Sequence, residues 1–83
     1  MNSIEETIAG IVATVAEVDR AEVRPGESLK DIGVDSLMGL EIAVHVERAL
    51  GIQFDDDELG EIETFEDLVD LAVARLAVEA ETA

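Results

Sequence analysis

Gly33-Val34-Asp35-Ser36-Leu37, with the run from Met38 to Leu50 behind it, decides how the rest of this chain is read. Gly33 suits a close turn, and Asp35 or Ser36 caps the helix that follows. Gly51 is a suitable residue just beyond its C-terminus. With Ile42 at 0° and a step of about 100° per residue, Gly39, Ile42, Ala43, Val46, Ala49 and Leu50 fall between about −20° and 100°. That is an ordinary core stripe. Leu37, Leu40 and Val44 fall at about 160° to 220°, nearly opposite, with Glu47 on one flank and Glu41 and Arg48 on the other. Ser36, at about 120°, adjoins this second stripe. The connection from 19 to 34 could cover it, or a partner could. Burying three bordering charges unpaired would be costly, which favours a helix-in-groove contact anchored by Leu37, Leu40 and Val44.

Ser36 is either an ordinary helix cap or an exposed hydroxyl available for tethering. A nucleophilic serine needs a base within hydrogen-bond reach. The only histidine, His45, lies nine residues on, roughly 13 Å along the axis and about 180° around it. A serine hydrolase is excluded, and no catalytic residue is expected.

Before this stretch, Ser3 can cap a first helix with Glu6 completing a capping box. Ile4, Ile8, Ile11, Val12, Val15 and Val18 keep helical spacing to about Val18. Gly10 weakens that helix and suggests a close approach by another segment. Residues 19–34 form a long connection with a turn at Pro25-Gly26 and core anchors at Leu29 and Ile32; loops of this length are often functional. After it, Ile52 and Phe54 return to the core. Asp55-Asp56-Asp57-Glu58 opens a short third helix ending near Glu61, because acids suit a helix N-terminus. The run lacks the ligand spacing and glycine of a calcium loop, so no metal site is expected. Thr64 caps the last helix, with Asp67 at the capping-box position and Phe65, Leu68, Val69, Ala72 and Leu76 facing inward. Fraying is expected from about residue 78. The expected fold is all-α: a four-helix bundle of three longer helices and one short third helix, with a long loop between the first two. At 83 residues it is read as one domain.

The net charge of −16 argues against nucleic acid and anionic membrane as partners and toward proteins with basic surfaces. Residues 35–70 carry twelve acids against the single base Arg48, a net of −11. There is no cysteine, hence no disulfide framework or thiol chemistry of the chain's own. No apolar run reaches the roughly 20 residues needed to span a bilayer, and the N-terminus lacks a signal-peptide layout. A cytoplasmic monomer is expected.

Gly33-Val34-Asp35-Ser36-Leu37 with Leu40-Glu41-Ile42 resembles the acyl carrier protein signature around the phosphopantetheine serine. Leu50-Gly51-Ile52 to Phe54, the acidic run, and Ile62-Glu63-Thr64-Phe65-Glu66-Asp67-Leu68 resemble the family's later segments at the same separations. The likeness covers nearly the whole chain, more weakly in the first helix and the 19–34 connection. It implies a free-standing carrier on which a phosphopantetheinyl transferase moves 4′-phosphopantetheine from coenzyme A to Ser36. The arm's thiol would then carry acyl groups between enzymes, supplying chemistry the chain lacks. The resemblance further implies that Asp35 serves transferase recognition and that Leu37, Leu40, Glu41, Val44, Glu47 and Arg48 meet partner enzymes. These would be ketosynthase, acyltransferase or acyl-ligase types with basic docking patches. By analogy, the carried chain would shelter among residues such as Ile42, Val46 and Leu68. Arg48, with His45 nearby, departs from the more uniformly acidic second helix of fatty-acid carriers and points toward polyketide or related specialised biosynthesis. Fatty-acid synthesis, a peptidyl or aminoacyl carrier, and a non-covalent acidic helical adaptor are the alternatives.

Overall fold

In a computed structural model, residues 3–82 are described, and side chains from Ile4 to Val78. Four α-helices follow in order: α1 (Ser3–Ala16), α2 (Ser36–Leu50), α3 (Asp56–Leu59) and α4 (Phe65–Thr82). Two 3-10 turns, Arg20–Glu22 and Leu29–Ile32, divide the connection between α1 and α2. No strand occurs among the described residues; Ser28 and Thr64 form one isolated antiparallel bridge. The all-α architecture of three longer helices and one short third helix is therefore as expected.

α1 packs on α2 and α4. Its periodicity places Ile8, Ala9 and Val12 fully inside, with Ile4, Ile11 and Val15 half-buried around them. Two readings of α1 are corrected. The helix already includes Ser3, so Ser3 is not the residue preceding it; its side chain lies outside the described residues. A side-chain carbon at Gly10 would meet nothing within 4 Å, so no segment approaches there. The helix ends two residues before Val18 because Glu17 turns left-handed, at φ 57°. The Val18 N–H then reaches back to the Ala13 carbonyl at 3.1 Å, the six-to-one bond that closes a helix C-terminus.

Leu29 anchors the connection as expected, with Ile32 half-buried beside it, and Val23 and Val34 join the core as well. Three main-chain bonds stitch the connection to the approach of α4. The Leu29 N–H donates to Glu63 O at 3.0 Å, Phe65 N–H to Glu27 O at 3.2 Å, and Glu66 N–H to Pro25 O at 2.9 Å. The 3-10 turn then closes at Gly33, whose φ of 91° is a conformation other residues adopt only with strain.

α2 buries Ile42, Ala43 and Val46, while Gly39 and Leu50 are half-buried. Ala49, expected on the same stripe, is exposed; at about −20° it sits at the stripe's edge, on the His45 side. Gly51 takes φ 68° and closes the helix. Ile52 and Phe54 are buried as they re-enter the core. α4 contributes Phe65, Leu68 and Ala72 to the core, with Val69 and Leu76 half-buried. Its capping box forms as read: Asp67 N–H donates to Thr64 Oγ1, and Thr64 N–H to Asp67 Oδ2, both at 3.1 Å. The N–H groups of Glu63 and Thr64 hold the Asp67 carboxyl below its ordinary range. α4 continues past residue 78 to Thr82.

Candidate functional site

The order of residues at the head of α2 settles which one caps it. Asp35 has extended backbone geometry, and its Oδ1 accepts the Met38 N–H at 2.8 Å. Ser36 is the first helical residue and is exposed. Its hydroxyl makes no hydrogen bond within the described residues. The capping role open to Ser36 on sequence grounds thus belongs to its neighbour.

Ser36 stands on the rim of an open groove of about 930 Å³. The groove is lined by the connection (Ser28, Leu29, Lys30, Val34), by α2 (Gly39, Leu40, Ile42, Ala43), by the α3 segment (Leu59, Gly60, Ile62) and by the start of α4 (Thr64, Leu68). Its lining is mainly apolar, with Asp35, Lys30 and Glu63 as charged members. Ile42 and Leu68 lie where the analogy puts them. Val46 does not line the groove and is fully buried in the core instead.

The second stripe of α2 stays uncovered. Leu37 is 68% and Leu40 53% exposed, and Val44 is half-buried. Glu41 and Arg48 are exposed beside them, and Arg48 forms no ion pair within the described residues. The connection packs into the core through Val23, Leu29 and Val34 and does not close over the stripe. Glu47 is different. It is half-buried, and its Oε2 accepts the Phe54 N–H at 2.8 Å, tying the 52–54 segment to α2. Glu47→Ala is expected to lower stability by about 1–2 kcal/mol, since it strands a partly buried donor. Glu47→Gln keeps an acceptor oxygen and should retain most of it. Urea midpoints compare the two, and only the Gln variant tests the charge alone.

α4 also reaches α3 through side chains. Arg75 Nη2 bonds Asp55 Oδ2 at 2.9 Å and pairs with Glu58 Oε1. The same Glu58 oxygen accepts the Asp55 N–H at 3.1 Å. The Arg75 guanidinium, then the Asp55 N–H, hold the Glu58 carboxyl below its ordinary range, and Glu58 in turn raises Arg75. Nothing local to residue 75 announces this pairing across 17 and 20 positions. Among the described residues no cluster of three or more His, Asp or Glu could hold a metal ion, and no helix is long and apolar enough to cross a membrane.

Residues 6–72 match the family model described as a phosphopantetheine attachment site. The chain is also 36% identical to an acyl carrier protein of Myxococcus xanthus, over 84% of this chain and 94% of that one. The chain belongs to the acyl carrier protein family. An acyl carrier protein of Micrococcus luteus is equally similar, at 36% over 84% of this chain and 91% of its own. The non-reducing polyketide synthase SAT8 of Stachybotrys chartarum is 36% identical over 70% of this chain, which spans only 2% of that enzyme's length. As a member of that family, the protein takes a 4′-phosphopantetheine prosthetic group. The groove rim holds one exposed hydroxyl, that of Ser36, beside a mainly apolar lining.

Proposed function

We propose that Ser36 is the residue to which the arm is joined, and that the chain serves polyketide or related specialised biosynthesis as a carrier without catalysis of its own. The observation that carries the first part is the division of labour at the head of α2. Asp35 spends its carboxylate on the Met38 N–H, and Ser36 is left exposed on the groove rim. A phosphopantetheinyl transferase joins Ser36 Oγ to the pantetheine-side phosphorus of coenzyme A. The pyrophosphate bond breaks, 3′,5′-ADP leaves, and the serine proton passes to the transferase. The bound arm supplies a thiol that carries acyl groups as thioesters.

Leu37, Leu40 and Val44 are the apolar anchors for the transferase and for ketosynthase, acyltransferase or acyl-ligase partners. Asp35 and Glu41 steer their basic patches, in contacts that salt weakens. Glu47 adds charge to the same border while holding Phe54. Arg48, a cation beside the strip with no ion-pair partner among the described residues, favours partners that present an acid there. The polyketide assignment is supported by the synthases among the relatives, SAT8 included, and by Arg48. We further propose that residues 1–83 act as one monomeric unit in the cytoplasm, with neither nucleic acid nor membrane as partner.

The test is intact mass after incubation with a promiscuous phosphopantetheinyl transferase, magnesium and coenzyme A. Wild-type protein should gain one phosphopantetheinyl group and Ser36→Ala none. A gain in the variant would move the attachment elsewhere, and no gain in folded wild type would leave an acidic helical adaptor as the better account.

A further inference from the structure

We infer that Arg75 sets the capacity of the groove, by latching α3 in place as one of its walls. The capacity role rests on the carrier reading above; the latch itself does not. α3 spans four residues and buries none of them. That is far below the length at which a helix holds itself together. Every main-chain bond of the segment is local: Leu59 to Asp55, Gly60 to Asp56, Glu61 to Glu58, and Ile62 to Leu59. Its apolar attachment is through Leu59 and Ile62, both only half-buried. These two residues, with Gly60, line the groove that α2 lines with Leu40, Ile42 and Ala43. The segment is therefore a wall with little to fix it from within.

What fixes it from outside is a cation on a well-anchored helix. α4 is held in the core by Phe65, Leu68 and Ala72, and Arg75 projects from its next turn to bridge Asp55 and Glu58. In a chain of net charge −16, Arg75 alone among the described bases forms an ion pair with a described carboxylate. Abundance of acids thus does not explain the pairing; geometry does. One guanidinium grips both the residue before α3 and the carboxylate in its third position, so the segment is held at two points. Both contacts come from the one nitrogen, Nη2, and reach residues three positions apart on the segment. Releasing them lets the wall swing away from α2, and the groove then admits bulkier chains with less discrimination.

The experiment has two arms. Hydrogen exchange on the apo protein compares wild type, Arg75→Gln, Arg75→Lys and Glu58→Gln. Amides of residues 59–62 should exchange roughly three- to tenfold faster in both Gln variants, with α1 and α2 unchanged and Arg75→Lys partly restoring protection. The Arg75→Gln, Glu58→Gln double variant should exchange no faster than Arg75→Gln alone. Separately, a transferase loads saturated acyl-pantetheine arms of 6, 10 and 14 carbons, and hydroxylamine cleavage of each is timed. Wild type should protect some lengths over others, and Arg75→Gln should flatten that dependence. Unchanged exchange at 59–62 overturns the latch. Faster exchange with the length dependence intact overturns the capacity role. Wild type that accepts no acyl arm overturns the carrier reading, and the capacity role with it, whatever the exchange result.

Discussion

Replacing Ile8 with alanine is expected to cost about 3 kcal/mol of folding stability, the middle of the range for emptying a fully enclosed aliphatic site. Ile8 has 0% of its surface exposed and sits where α1 meets α2 and α4. A chain of this length has roughly 4–12 kcal/mol in total, so one substitution removes a large share. The small core explains the severity. It is built from Ala, Val, Leu and Ile around just two phenylalanines, and little bulk is nearby to collapse into the space. A urea titration followed by far-ultraviolet circular dichroism should show the midpoint falling by about 2–3 M at unchanged slope. A loss below about 1 kcal/mol would mean that α1 repacks freely and that the bundle is looser than its geometry indicates.

Leu37→Asp should do the reverse, leaving the fold alone and breaking function. Leu37 is 68% exposed and does not line the groove, so no core contact is lost. It lies in the first turn of α2, which contains no acid, where a carboxylate is mildly favourable. The urea midpoint should hold or rise slightly. The rate constant kcat/KM for transfer of the arm to Ser36 should fall roughly 10- to 100-fold, the usual effect of deleting an apolar anchor at a docking surface. Paired with Ile8→Ala, it separates what the two sides of the bundle do. A Leu37→Asp protein that is modified at the wild-type rate would remove the strip from transferase recognition.

Much of this was legible because its signals are local. The stripe Ile8 to Val12, the Thr64–Asp67 capping box, the stop at Gly51 and the two faces of α2 each declare themselves within a few turns of chain. The competing claims of Asp35 and Ser36 to the cap were not separable that way, because both residue types cap well. Other features depend on what the rest of the chain brings near. Val23 looked like part of an open connection and is a core residue; Glu47 looked like free surface charge and holds Phe54. Arg75 finds its partners only once α3 and α4 are side by side. Gly10 carried a composition signal for close packing, yet the neighbouring space is empty.

The three main-chain bonds between residues 25–29 and 63–66 have a consequence for the order of events during synthesis. The connection that ends at Gly33 and delivers Ser36 is completed by groups that leave the ribosome some thirty to forty residues later. A nascent chain that stops short of Glu63 already contains the entire signature and all of α2, but not the partners that seat the approach to it. Ser36 is thus translated before the groups that seat its approach, and under the proposed attachment at Ser36 a transferase would meet the folded segment rather than the emerging peptide.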